Sequence, residues 1–121
     1  MDAPDELPEA VELYFHHLGS DDYAEAANQF AEDAVYLHPP NFQEEATITG
    51  RDAIESFFRE SRGSKSVSHA IRKVVRSGDR CGLVGHATGE DIDGEDYFIS
   101  FAELDNGKIS YYIAGLLQGN V

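Results

Sequence analysis

After Gly63 the chain never returns to a helical repeat, and this single change of period constrains its fold more than any other feature. Before it, apolar residues recur at the three- and four-residue intervals of helices; beyond it they follow strand-type patterns. Leu7, Val11, Tyr14, Phe15 and Leu18 make the first stripe, with Pro4 and Pro8 placed where an opening turn needs no amide donor. Ser20, Asp21 and Asp22 follow Gly19 as N-cap candidates. Glu25 stands three residues past Asp22, as in a capping box, so Tyr23, Ala26, Ala27 and Phe30 read as a short second helix.

Ala34 to His38 reads as a strand stopped by Pro39 and Pro40, and Asn41 to Thr49 as a loop with some extended structure. Whether that loop is a lid stays open at this stage. Arg51 to Ser61 predicts a third helix that turns Ile54, Phe57 and Phe58 to the core. Four strands follow, over Val67–Arg76, Cys81–Gly89, Tyr97–Leu104 and Lys108–Leu117. Ser77-Gly78-Asp79, Asp93-Gly94 and Asp105-Asn106-Gly107 supply the turns between them. Helices first and a meander afterwards is an α+β order, since a parallel sheet needs the two to alternate.

At 121 residues with 41% hydrophobic and 11% aromatic content, one domain spanning 1–121 is expected. No apolar run approaches the roughly 18 residues that span a bilayer, and the first residues are acidic where a secretory signal would be basic. The expectation is a cytoplasmic protein with no membrane partner. Nine Lys plus Arg against 23 Asp plus Glu give a net charge of −14, which opposes nucleic acid and fits a salt-rich cytoplasm. Arg59, Arg62, Lys65, Arg72, Lys73, Arg76 and Arg80 run against that trend and read as an outward strand face or, as the alternative, a guide for an anionic ligand. The lone Cys81 reads as a buried packing residue.

The string Phe30-Ala31-Glu32-Asp33-Ala34-Val35, then Gly50-Arg51-Asp52-Ala53-Ile54, then Asn106-Gly107-Lys108-Ile109, resembles the SnoaL-like, polyketide-cyclase-like branch of the nuclear-transport-factor-2-like (NTF2-like) superfamily. The resemblance covers nearly the whole chain. It implies a cone-shaped, curved antiparallel sheet wrapped by N-terminal helices, the NTF2-like or cystatin-like form, around a pocket for an apolar small molecule. It also implies a homodimer, because this fold commonly exposes an apolar sheet face. Relatives include ketosteroid isomerases, polyketide cyclases, limonene epoxide hydrolase, scytalone dehydratase and proteins without known activity, among which fold does not choose.

By resemblance to the isomerases, Tyr14 falls on the position of a phenol that hydrogen-bonds substrate oxygen, and His38 on that of the proton-moving carboxylate. An imidazole titrating near neutrality can carry a proton there, by a changed mechanism. Ser100 stands nearest the place of a protonated carboxylic acid and is a weaker donor. By resemblance to scytalone dehydratase, His69 with Tyr14 is a second acid–base pair.

Tyr97, Phe98, Phe101, Tyr111 and Tyr112 alternate between sheet faces, so some line a cavity while others meet solvent or a partner. Phe58 and Tyr112 join His69 and Ser100 as ligand-binding candidates. No ligand motif supports a metal, the acidic run Asp91–Asp96 lacks the spacing of a calcium loop, and no cofactor is expected. Two readings stand side by side: acid–base isomerisation, cyclisation or dehydration at Tyr14 and His38, or a non-catalytic ligand-binding or dimerisation module in which the same residues close the core.

Overall fold

Pro8 lacks an amide hydrogen and so can stand at a helix start; its carbonyl accepts from the amides of Val11 and Glu12, each at 3.0 Å. The computed structural model describes residues 7–38, 47–62, 67–89 and 96–117, with side chains over 7–38, 47–60, 70–86 and 97–115. Helix α1 (Glu9–Gly19) buries Ala10, Val11, Tyr14 and Leu18, the face its apolar spacing prescribes. Asp22 caps α2 (Tyr23–Ala27) by accepting from the Glu25 amide at 3.3 Å. α2 is shorter than its apolar spacing predicts. Phe30 leaves the helix because the Ile109 amide donates to the Gln29 carbonyl and Phe30 pairs with Ile109, so sheet pairing outweighs local period.

Strand β1 (Phe30–Leu37) thus begins four residues earlier than expected. Its register against the last strand moves from Phe30–Ile109 to Val35–Tyr111, and exposed Glu32 and Asp33 sit in that irregularity, inside the strand and not in a turn before it. β2 (Thr47–Thr49) pairs antiparallel with β1, which takes the end of the expected loop; residues 41–46 lie outside the described residues. Gly50 then adopts φ +99, open to glycine at little cost, and α3 (Arg51–Arg62) begins. Four long strands follow, β3 (Val67–Ser77), β4 (Arg80–Gly89), β5 (Asp96–Asp105) and β6 (Lys108–Leu117). Asn106 and Gly107, at φ 51 and 80, make the β5–β6 hairpin turn.

The six strands form a curved, unclosed sheet in the order β2-β1-β6-β5-β4-β3. The architecture is α+β, as predicted. It is antiparallel except where β1 runs parallel to β6, a pairing that makes the sheet mixed and that no local pattern foretold. The meander β3–β6 is fully antiparallel. Cys81, Leu83, Phe98, Ala102 and Tyr112 face the helices, and Val11, Ile54 and Phe58 cover them. Full burial of each large apolar side chain contributes about 1.5–3 kcal/mol. Among the described residues no helix is long and apolar enough to cross a membrane.

Candidate functional site

α1 delivers Tyr14 to the inner face of the sheet at 2% exposure, ringed by Phe30, Phe58 and Tyr112 with centroids 5.3, 5.8 and 5.2 Å away. Within this apolar shell the Tyr14 hydroxyl lies 3.3 Å from that of Tyr36. The parallel register sets Tyr36 beside Tyr112, and their rings stack 5.4 Å apart at 7°. Tyr112 is paired with Ala102, whose short side chain faces the same way. The Tyr112 hydroxyl reaches diagonally along β5 and donates to Ser100 Oγ at 3.0 Å.

Burial pushes the Tyr112 phenol well above its ordinary range, and Tyr36 and Cys81 add to that. Hydrogen bonding with Ser100 and Tyr14 opposes it only in part. Tyr112 is therefore a neutral phenol at any physiological pH. Burial likewise raises the Cys81 thiol, with Arg76 opposing. Four strand and helix elements thus meet in a chain of hydroxyls, Tyr36–Tyr14–Tyr112–Ser100, none more than 5% exposed.

His38 follows β1 two residues after Tyr36 and is half-buried. Its ring stacks on Phe57 at 4.5 Å and 21°, and Phe57 lies 5.7 Å from Tyr36. The arrangement is a graded one: a titratable imidazole with partial access to water, an aromatic step, then sealed hydroxyls. Imidazole can exchange protons with solvent, whereas the phenols can only hold and orient hydrogen bonds.

Of the residues singled out beforehand, Tyr14, Ser100 and Tyr112 come together in one network, and Phe58, at 1% exposure, packs between Tyr14 and Tyr36. His69 pairs through its backbone with Ala87, and its side chain lies outside those described. His86 pairs with Ala70, and its Nδ1 accepts from Arg72 Nε at 3.0 Å. Among the described residues no group of three His, Cys, Asp or Glu could hold a metal. Tyr36 is the member of this network that sequence reasoning passed over. Its signal was parity, since it precedes His38 by two and so shares its side of an extended chain.

The SnoaL-like domain family matches residues 11–112. The chain belongs to that family. No curated protein sequence matches this SnoaL-like chain. Its fold is similar to an NTF-2-like protein of unknown function from Burkholderia xenovorans LB400, with TM-score 0.75, 16% identity and 93% of this chain and 84% of that one covered. It is similar to an LEH-like epoxide hydrolase of M. tuberculosis, with TM-score 0.74, 18% identity and coverage of 91% and 81%. It is also similar to TerC co-crystallised with polyporic acid, with TM-score 0.76, 16% identity and coverage of 90% and 89%. At these identities the likeness is one of fold.

Proposed function

We propose that this SnoaL-like chain, acting as one domain, binds an apolar, oxygen-bearing small molecule on the inner face of its sheet and changes it by acid–base chemistry. His38 moves the proton at the rim. The hydroxyl chain centred on Tyr14 is the polar end of the site, and the surrounding aromatic rings hold the hydrocarbon. The reaction is an isomerisation, cyclisation or dehydration. The observation that carries this reading is the hydroxyl chain itself. Four hydroxyls joined to one another among aromatic rings make a polar spot in an otherwise apolar core, where a ligand oxygen would find hydrogen-bonding groups. By the resemblance to scytalone dehydratase, His69 is a further candidate base.

The test is a His38→Gln variant assayed beside the wild type on cyclic ketones, their enol ethers and β-hydroxy ketones. Turnover by the wild type, lost in the variant at unchanged melting temperature, supports the reading. Unfolding of the variant would favour a structural role for His38.

A second use of the fold rests on the other face of the sheet. Val75, Ile99 and Phe101 are 71%, 47% and 37% exposed there, beside a groove of about 550 Å³ that also includes Val84 and Ile113. Among the described side chains of β3–β6 the carboxylates are Glu103, which Arg80 meets at 2.9 Å, and Asp105 at the end of β5, away from the groove. In a chain of net charge −14 that is the surface on which two copies repel least. We infer a homodimer through this face, formed in a salt-rich cytoplasm that screens the remaining charge.

A further inference from the structure

Gly82 has no reason within its own chain to be glycine. It stands inside β4 without a positive φ, and a Cβ there would meet nothing nearer than the Ser100 carbonyl oxygen at 3.9 Å. Gly85 on the same strand differs, since Ala70 and Phe98 fill the space beside it. A glycine inside a strand weakens it, and one that its own fold does not require marks a place where something outside the chain comes close.

That place is the outer face. Gly82 lies in the outer groove between Val75 on β3 and Phe101 on β5, its two cross-strand partners. Ile113 on β6 completes the row beyond Phe101. One neighbouring row sets Val84 beside Ile99, and the other sets Arg80 beside Glu103. On β4 and β5 a raised ring thus stands next to a hollow, and a base next to an acid.

A two-fold contact sets residue i on j and j on i. Resting on the homodimer reading above, we propose that the two-fold axis runs along the strands between β4 and β5, so that Phe101 of each copy enters the hollow over the partner's Gly82. Turning the face about that line lays β5 on the partner's β4, and β6 on its β3. The rows then match: Ile113 meets Val75, Ile99 meets Val84, and Glu103 meets Arg80. Sheets packed face to face lie about 10 Å apart, a span that a phenylalanine against a glycine fills. Charge agrees, because in a chain of net charge −14 the acid of each copy is set on a base of the other. An axis running across the strands between Ile99 and Phe101 would turn those two onto each other and set Glu103 over Tyr97, leaving the charges unmatched.

The test measures dimerisation by sedimentation velocity, with a circular dichroism melt of each variant diluted to the monomer. Gly82→Val should weaken the dimer by about tenfold or more, the effect of overpacking at both hollows, with the melting temperature of the monomer unchanged or raised. Arg80→Glu and Glu103→Arg should each weaken self-association, because each sets like charges against one another across the axis. Mixed in equal amounts, these two variants should form heterodimers in excess of random pairing, read by native mass spectrometry, since one chain brings two acids to the other's two bases. The Arg80–Glu103 pair within a chain is broken in both, so only contact across the axis gives this preference. A Gly82→Val chain that dimerises as the wild type does, or a mixture that pairs at random, overturns the axis while leaving the homodimer reading intact. Should Gly82→Val fail to fold, the mixture decides alone. A wild type that is monomeric at every KCl concentration ends the homodimer reading, and this inference with it.

Discussion

The rings of Tyr36 and Tyr112 lie 7° from parallel with centroids 5.4 Å apart, across the one parallel strand pair of the sheet. Residues far apart in sequence, on β1 and β6, are thereby locked into a register that brings the Tyr14, Tyr36 and Tyr112 hydroxyls together. The polar end of the site is in this sense a product of strand pairing, and changes that disturb the pairing should disturb the site.

Stability should fall in alkali in a way traceable to Tyr112. Its folded phenol titrates far above the ordinary value, whereas the unfolded one ionises near pH 10. Above that pH the unfolded state holds fewer protons, so stability declines at up to about 1.4 kcal/mol per pH unit for this group. Below it the group contributes no slope. Urea titrations from pH 8 to 11.5 should show the decline, and Tyr112→Phe should make it shallower by one proton while lowering stability at pH 8 by about 1–3 kcal/mol.

Gly85 has no room for a side chain. A Cβ there would strike the Ala70 carbonyl and come within 2.8 Å of Phe98 Cζ, because the Phe98 ring lies over β4 where it meets Phe15 at 5.8 Å. Gly85→Ala should therefore cost about 1–3 kcal/mol in urea unfolding, the usual penalty for overpacking. Phe98→Leu in the same chain should recover part of that loss, since the carbonyl contact remains.

On the outer face, Ile99→Lys places a charge in the middle of the apolar groove. Sedimentation velocity should find the wild type dimeric and the variant monomeric, with the variant's fold intact by circular dichroism because Ile99 is 47% exposed within one copy. A monomeric wild type at every salt concentration would end the dimer reading.

The net charge of −14 predicts a salt requirement. Self-repulsion among carboxylates is screened over about 3 Å at 1 M salt but over about 30 Å at 0.01 M. The melting temperature should climb steadily between those concentrations of KCl, and full stability in the dilute buffer would contradict adaptation to a salt-rich cytoplasm.

Local signals carried most of the elements. The stripe Val11, Tyr14, Leu18 is the buried face of α1, Asp22 caps α2 through Glu25, and β6 runs over Lys108–Leu117 as its alternation and the Asn106-Gly107 turn indicate. The failures share one cause. Phe30 looks helical by spacing, and Glu32–Asp33 looks like a turn by composition. Both belong to β1 because of pairing with a strand near the other end of the chain. That same pairing hid Tyr36, whose partner Tyr112 no local period could reveal. Tyr14, Ser100 and Tyr112 stood out in the sequence as candidates one at a time, but their joining into a chain of hydroxyls depends on the register and on Ala102 being small.

On the proposed function, ligands sit on the inner face between α1, α3 and the sheet. Crystals soaked with a library of small cyclic ketones, phenols and lactones test it most directly. Fragments should contact Phe57 and the His38 ring, with an oxygen directed toward the hydroxyl chain. Fragments found only in the outer groove against Val75, Ile99 and Phe101, with the inner face closed in every crystal, would contradict it.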